Sequence, residues 1–139
     1  MKRLVLMLMF VTVGFLSMAQ KGVVQSVTPD TLTAVETEYF VCGPLGNAWD
    51  NVTIQALHTQ LGGTSDGTGV LQGSVDGVSY VTIQDESAFM KSYPNDSVTI
   101  TNGAVYQWTI RKPAFNYYRY AATGTASDTT LVSVKYIYK

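Results

Sequence analysis

The feature that most constrains the fold is a predicted β-hairpin over residues 71–83. Two short runs with the pattern of β-strands flank the step Asp76-Gly77. Glycine accepts the positive φ that a tight turn between right-twisted strands requires, so an Asp-Gly step between two such runs is a strong hairpin signal. A second aromatic run covers residues 115–120. Together the two runs indicate an antiparallel β protein.

The remainder of the chain has the composition of an all-β protein. Thr, Val and Tyr dominate after the first 19 residues, Gly interrupts the runs, and no segment shows a sustained 3.6-residue apolar period. The predicted strands are residues 22–27, 31–41, 52–61, 69–75, 78–84, 97–101, 105–110, 116–122 and 131–138. Short strands separated by turn residues predict an antiparallel β-sandwich, jelly-roll or discoidin-like, of about eight to nine strands.

Alternation along several strands assigns their faces. A half-buried antiparallel strand places every second side chain in the core. The sets expected to face the core are Val132, Val134, Tyr136 and Tyr138; Val98 and Ile100; and Tyr106, Trp108 and Ile110. The run over residues 115–120 carries aromatic side chains on both faces, which predicts either a central strand or one that lends a face to a partner.

The first 19 residues are predicted to be a cleaved export signal. Two basic residues precede an apolar run over residues 4–16, and small residues occupy the end of the segment at Ala19. The run is shorter than the ~20 residues that crossing a bilayer requires, so we expect no permanent membrane span. The domains are then 1–19, the signal peptide, and 20–139, one β-sandwich domain of a size suited to a single core.

The charge of the chain argues against nucleic-acid binding. Nine basic and 10 acidic residues give a net charge of −1, and removal of the two basic residues in the predicted signal leaves 7 against 10. Binding to nucleic acid without sequence preference depends on clustered Lys and Arg that neutralise phosphates, and the bases here are scattered. We expect no nucleic-acid partner.

The inventory of reactive side chains argues against an enzyme. His58 is the only histidine and lies in a strand pattern, where a hydrogen-bonded or solvent-facing ring is expected rather than a metal ligand or general base. Cys42 is the only cysteine, for which a buried, inert thiol is the main interpretation and an intermolecular disulfide the alternative. No nucleophile signature occurs, so we predict a non-enzymatic protein without a cofactor.

Three aspartates lie in predicted turns, where a carboxylate either caps the backbone or binds a metal ion. Asp66, Asp76 and Asp128 lie among Gly and Thr residues, where a short carboxylate ordinarily caps backbone N–H groups. Loop carboxylates also bind calcium, but neither Asp66 nor Asp76 has the ligand spacing of a calcium loop. We predict no metal site, with these two residues as weak calcium candidates.

Aromatic residues are the candidates for binding. Nine Tyr, two Trp and five Phe exceed the needs of a small core, and Tyr is favoured on recognition surfaces because it buries a large area with little loss of entropy. The candidate contact residues are Trp49, Tyr117, Tyr118 and Tyr120. Trp49 ends a loop and is equally consistent with plugging the end of the sandwich. The irregular stretch 85–96 is the most adaptable segment.

From residue 52 to the C-terminus the pattern resembles a family of small β-sandwich proteins encoded by tailed bacteriophages and their prophages. The matching segments are residues 52–55, 63–67, 71–80, 108–120 and 123–125, read as VTIQ, GTSDG, LQGSVDGVSY, WTIRKPAFNYYRY and TGT. The element S-x-D-G-x-x-Y, followed by Y-Y-R-Y at residues 117–120, also resembles the discoidin-type sandwich, whose members often bind carbohydrate or other cell-surface ligands through end loops. The phage resemblance implies a virion structural or accessory role without enzymatic activity.

Two hypotheses for the function follow. In the first, the protein decorates the capsid or tail surface of a phage particle, with capsid or tail components or its own copies as partners. In the second, suggested by the export signal, it is a secreted β-sandwich module that recognises cell-surface carbohydrate through Trp49, loop tyrosines and residues 62–67. The expected location is the periplasm, the extracellular space, the cell surface or the virion.

Overall fold

The computed structural model describes residues 22, 24–33, 35–45, 51–63, 66–83, 97–111, 113–125 and 128–139. The predicted export signal, the stretch 85–96 and Trp49 lie outside these residues. The described residues form β-strands and no helix, so they contain no helical segment suited to crossing a membrane. The strands are β1 (Gln25–Ser26), β2 (Asp30–Thr33), β3 (Thr37–Cys42), β4 (Asn51–Gly63), β5 (Gly67–Ser74), β6 (Val81–Thr82), β7 (Val98–Thr99), β8 (Val105–Arg111), β9 (Tyr117–Gly124) and β10 (Asp128–Tyr138).

The strands form two antiparallel five-stranded sheets, which confirms the predicted all-β sandwich class. Sheet I has the order β1-β10-β4-β8, and β2 pairs with β10 on the same side as β1. Sheet II has the order β3-β9-β5-β6, and β7 pairs with the start of β5. The aromatic strand β9 therefore lies between β3 and β5, as expected for a strand with large side chains on both faces.

The prediction of one continuous strand over residues 31–41 is wrong, because this segment forms two strands. Its first part, β2, pairs with β10 in sheet I, and its second part, β3, pairs with β9 in sheet II. The chain bends between them at Val35, which is exposed. In this segment Ala34 and Val35 are both apolar and residues 36–38 are all polar, so the polar–apolar alternation is interrupted where the chain leaves one sheet for the other.

Tyr120 links the two layers of the core. Its ring centroid lies 5.4 Å from that of Trp108, which comes from sheet I, and 6.5 Å from that of Phe40, which comes from sheet II. The alternation predicted for β7, β8 and β10 is confirmed. The members of those sets that are buried are Val98, Ile100, Trp108, Ile110, Val132 and Val134, and those packed against the core and half-buried are Tyr106, Tyr136 and Tyr138.

The predicted hairpin is formed by β5 and β6, with a six-residue connection in place of a two-residue turn. Gly77 has the expected positive φ, +76°. Asp76 Oδ1 accepts hydrogen bonds from the backbone N–H groups of Val78 and Ser79 and from the Ser74 hydroxyl. These hydrogen bonds lower the pKa of Asp76 to about 2, with the Ser79 amide contributing most. The turn-capping interpretation of Asp76 is therefore confirmed.

Candidate functional site

Two of the predicted contact residues face the interior. Tyr118 is 1% exposed and Tyr120 is 0% exposed, so neither side chain is accessible to a partner. Burial raises the pKa of Tyr118 to about 12. The prediction that these two residues contribute to a binding surface is therefore wrong. Alternation along β9 places them in the core and turns the intervening residues outward.

The outward residues of β9 include Tyr117 and Arg119, both half-buried. A Cβ added to Gly77 would lie 3.2 Å from Cζ of Tyr117, so this ring packs on the backbone of the β5–β6 connection. Asn116, just before β9, donates from its side-chain amide to the Val75 carbonyl at 3.4 Å. The connection between β5 and β6 is thereby held against the start of β9.

Arg119 contacts two tyrosine rings and one glutamine side chain on this face. Its guanidinium carbon lies 4.1 Å from the ring centroid of Tyr39 and 3.9 Å from that of Tyr80. Its Nε donates a hydrogen bond of 2.7 Å to Oε1 of Gln72. A guanidinium over an aromatic face is attracted by the ring quadrupole, by about 0.5–2 kcal/mol according to exposure.

The order of the strands explains why these residues meet. Arg119 pairs in register with Val41 on β3 and with Gln72 on β5. Tyr39 lies two residues before Val41 on the same face of β3, within diagonal reach of a long side chain on β9. Tyr80 arrives from the β5–β6 connection, whose path is set by the hydrogen bonds to Asp76.

We call this surface the Arg119 face, defined as Tyr39, Val41, Gln72, Tyr80, Tyr117 and Arg119. Tyr39 is 53% exposed and Val41 44% exposed. At the strand positions of sheet II that point outward within the described residues, Arg119 is the one charged side chain. The Arg119 face therefore combines accessible apolar and aromatic area with a single cation.

The outer face of sheet I carries polar lateral contacts together with three exposed apolar side chains, Leu57, Leu61 and Val105. The hydroxyl oxygens of Thr53 and Thr109 lie 3.3 Å apart across β4 and β8. Gln55 Nε2 donates to Gln107 Oε1 at 3.5 Å on the same pair of strands. We select the outer face of sheet II as the candidate contact surface because its exposed apolar residues lie beside an arginine that contacts two tyrosine rings.

The weak calcium candidates lie at opposite ends of β5, Asp66 before it and Asp76 after it. A strand of this length separates them by roughly 25 Å, so they do not share an ion. The Thr125 hydroxyl donates to Asp66. The described part of the chain contains no group of three His, Cys, Asp or Glu side chains arranged to hold a metal ion.

His58 is a core residue rather than a solvent-facing one. Its side chain is 0% exposed, and its Nε2 lies 3.1 Å from the Tyr120 hydroxyl oxygen. Its Nδ1 has no hydrogen-bond partner within the described residues. Desolvation lowers the pKa of His58 to about 4. The expectation of a hydrogen-bonded strand histidine holds for one of the two ring nitrogens.

Cys42 is buried with a free thiol, as the main interpretation predicted. Burial raises the pKa of this thiol to about 12, so it is protonated at neutral pH. We expect the folded protein to react with an aromatic disulfide reagent at least about 100-fold more slowly than the denatured protein, because only the exposed thiolate is nucleophilic. Since Cys42 is the only cysteine, the released chromophore reports on it alone. Equal rates in the two states would contradict its burial.

No family model matches this chain, and no curated protein matches it in sequence. Among solved structures, the PBSX exported protein XepA is similar with a TM-score of 0.54 and 16% identity, covering 84% of this chain and 36% of that chain. The Yersinia pseudotuberculosis-derived mitogen (YPM) is similar with a TM-score of 0.51 and 12% identity, covering 84% of this chain and 86% of that one. The chain thus spans about a third of the length of XepA, and these likenesses concern the fold.

Five of the six residues on the Arg119 face, all except Tyr117, were not identified as binding candidates from the sequence. Tyr39, Tyr80 and Arg119 lie in separate segments of the chain and converge only when β9 lies between β3 and β5. Tyr80 was visible as the last residue of the S-x-D-G-x-x-Y element, but that element indicates a turn and not the position of its tyrosine. The predicted residue Trp49 lies outside the described residues.

Proposed function

We propose that this protein is an exported, non-enzymatic accessory component of a phage particle, attached to a capsid or tail protein through the Arg119 face. The observation that carries the proposal is the fixed stack of Arg119 with Tyr39 and Tyr80 on an otherwise accessible apolar surface. Tyr and Arg are the residue types most enriched at the energetic centres of protein interfaces. The similarity of fold to XepA, an exported protein, supports the export step.

The arrangement on this face favours a rigid contact over an adaptable one. A contact residue that is already ordered loses less side-chain entropy when a partner binds. Arg119 is held by two rings and a hydrogen bond, and Tyr117 packs on the backbone at Gly77. A repetitive capsid or tail surface is a partner for which such a preformed contact is suited.

The edge of sheet II extends the proposed surface. β3 pairs with β9 on one side, and among the described strands none pairs with its other side. Tyr39 and Val41 project from this strand onto the Arg119 face, so a partner strand laid along β3 would also contact them. Addition of a strand to an exposed edge is a recurrent mode of protein recognition.

The carbohydrate-binding alternative rests mainly on Trp49 and residues 62–67. Trp49 and residues 64–65 lie outside the described part of the chain, and the described surface adds no feature that favours a sugar over a protein. We therefore retain it as an outcome that the experiment below would reveal.

The proposal predicts that the protein copurifies with phage particles produced by its own host cells. Purified particles are analysed by mass spectrometry, and purified exported protein is tested for co-sedimentation with particles that lack it. Tyr39→Ala is expected to weaken binding about tenfold or more, as for an interface residue whose truncation costs more than 1 kcal/mol. Val105→Ala, an exposed residue of sheet I, is the matched control and is expected to bind normally.

The outcomes of this experiment separate the hypotheses. Absence from particles, with no co-sedimentation at micromolar concentration, contradicts the proposal. Retention on insoluble polysaccharide without particle binding would support the carbohydrate module in its place. If Val105→Ala weakens particle binding as much as Tyr39→Ala does, the contact is not specific to the Arg119 face and the proposal is contradicted.

A further inference from the structure

We infer that Arg119 is a recognition site for a carboxylate, supplied by an Asp or Glu side chain on the surface of the partner protein. The inference deepens the proposed function and rests on it for the identity of the partner. It adds the chemistry of recognition: one acidic side chain within an apolar contact surface, paired with one preoriented guanidinium.

Two tyrosine rings from separate parts of sheet II orient the Arg119 guanidinium. Tyr39 comes from β3 and Tyr80 from the chain that follows β5, and these two strands flank β9 on opposite sides. The ring centroids lie 4.1 and 3.9 Å from the Arg119 guanidinium carbon, so the guanidinium contacts a ring from each of two chain segments. These contacts use the ring faces, and the guanidinium keeps N–H donors for hydrogen bonds.

One N–H group of the Arg119 guanidinium donates a hydrogen bond within the protein, and the others can bind a ligand. Nε already donates to Oε1 of Gln72 at 2.7 Å, which fixes the rotation of the group. An arginine side chain has five N–H donors, and the four on its terminal nitrogens form a fork that matches the two oxygens of a carboxylate. Gln72 is neutral, so this hydrogen bond orients the cation without neutralising it.

The positive charge of Arg119 determines which kind of ligand group it attracts. No carboxylate of the described residues forms an ion pair with Arg119. Asp76, which lies near Tyr80, has its Oδ1 engaged by the amides and hydroxyl of its own turn. A half-buried cation on an apolar face is partly desolvated, and an anion from the partner would compensate it.

The surroundings of Arg119 favour a protein carboxylate over other anions. Polyanions such as uronic-acid polymers and nucleic acids are held by several cations that follow their repeated charges. At the outward strand positions described for sheet II there is one cation, surrounded by Tyr39, Val41 and Tyr117. One charge within aromatic and aliphatic contacts matches an acidic side chain at a protein interface.

The site is tested with capped hexapeptides that carry one glutamate, or one glutamine, among apolar residues. Binding to the folded protein is followed by NMR through the Arg119 Nε–H and the rings of Tyr39 and Tyr80. We expect saturable shifts with the glutamate peptide and at least about tenfold weaker binding of the glutamine peptide. Equal binding of the two peptides would overturn the inference, as would tighter binding of inorganic phosphate or polygalacturonate at the same resonances.

Variants of Arg119 and its neighbours show whether the carboxylate is bound by the bidentate guanidinium or only attracted by a positive charge. Arg119→Lys keeps the positive charge and loses the planar fork, so its affinity for the glutamate peptide is expected to fall about tenfold. Tyr39→Ala removes one stacked ring from an exposed position and is expected to lower the affinity without unfolding the protein. Arg111→Lys, on the outer face of sheet I, is the matched control. Full affinity in Arg119→Lys would overturn the bidentate site.

The same variants separate this inference from the proposed function. If wild-type protein binds particles and Arg119→Lys binds them equally well, the function stands and the carboxylate site is overturned. If wild-type protein binds the glutamate peptide selectively but never associates with particles, the site stands and the proposed function is wrong. If Arg119→Lys loses both interactions to a similar degree, both are supported.

Discussion

Replacing Gly69 with alanine is expected to lower the free energy of unfolding by about 3 kcal/mol, at the upper end of the usual cost of overpacking a core. Gly69 is buried in β5, and a Cβ there would lie 1.7 Å from the Tyr120 hydroxyl oxygen and 2.3 Å from its Cζ. The ring of Tyr120 cannot move away easily, because it packs against Trp108 and Phe40 and its hydroxyl contacts His58. The strain must then be relieved by moving β5 or the core rings.

The measurement is denaturant unfolding followed by tryptophan fluorescence. Gly62→Ala is the matched control, since a Cβ at that position would lie 3.9 Å from its nearest neighbour, the Thr129 Cβ. It is expected to change stability by no more than about 0.5 kcal/mol. An unchanged midpoint for Gly69→Ala would contradict the close approach of the ring to the backbone.

A double variant tests whether the cost comes from Tyr120. Tyr120→Leu alone is destabilising because it removes a buried ring, but it also makes space above Gly69. Residues in contact give non-additive effects, so Gly69→Ala combined with Tyr120→Leu is expected to cost less than the sum of the two single changes. Strict additivity would assign the effect of Gly69→Ala to another cause.

The same contact explains how far the sequence could predict the faces of β9. Alternation correctly separated Tyr117 and Arg119 from Tyr118 and Tyr120, but aromatic residues on both faces gave no reason to bury one pair. The deciding partner is β5, where Gly69 makes room for the Tyr120 ring. That information depends on the register between β5 and β9, which a single strand pattern does not contain.

The candidate site was less predictable than the fold for a related reason. The fold class follows from short β-rich runs and turn residues, which are local signals, and it was predicted correctly. The stack of Tyr39, Tyr80 and Arg119 depends on which strands are neighbours in sheet II. The error at residues 31–41 has the same origin, because the sequence alone does not show that β2 pairs with β10 and β3 with β9.

Acidification below about pH 6.5 is expected to destabilise the protein through His58. The pKa of His58 is lowered from 6.5 to about 4, because burial disfavours the charged imidazolium. Its ring is packed against those of Tyr106 and Tyr120, with centroids 5.6 and 5.7 Å away. Nothing in these contacts stabilises a proton on Nδ1.

The sign of the effect follows from proton linkage. Between pH 6.5 and 4 the unfolded chain binds a proton at His58 that the folded chain does not, so stability falls as the pH is lowered through this window. The full window corresponds to about 3 kcal/mol, and the loss between about pH 7 and about pH 4.5 to about 2 kcal/mol. Above pH 6.5 both states are neutral at this residue, and the contribution is constant.

The test compares wild type with His58→Phe, which keeps an aromatic ring in the core and does not titrate. The carboxylates contribute equally to both proteins, so the difference between their pH dependences isolates His58, the only histidine. The variant is expected to lose about 2 kcal/mol less than wild type on going from about pH 7 to about pH 4.5. An imidazole that titrates near pH 6.5 in the NMR spectrum of the folded protein, with parallel stability curves for the two proteins, would show that the ring is not desolvated between Tyr106 and Tyr120.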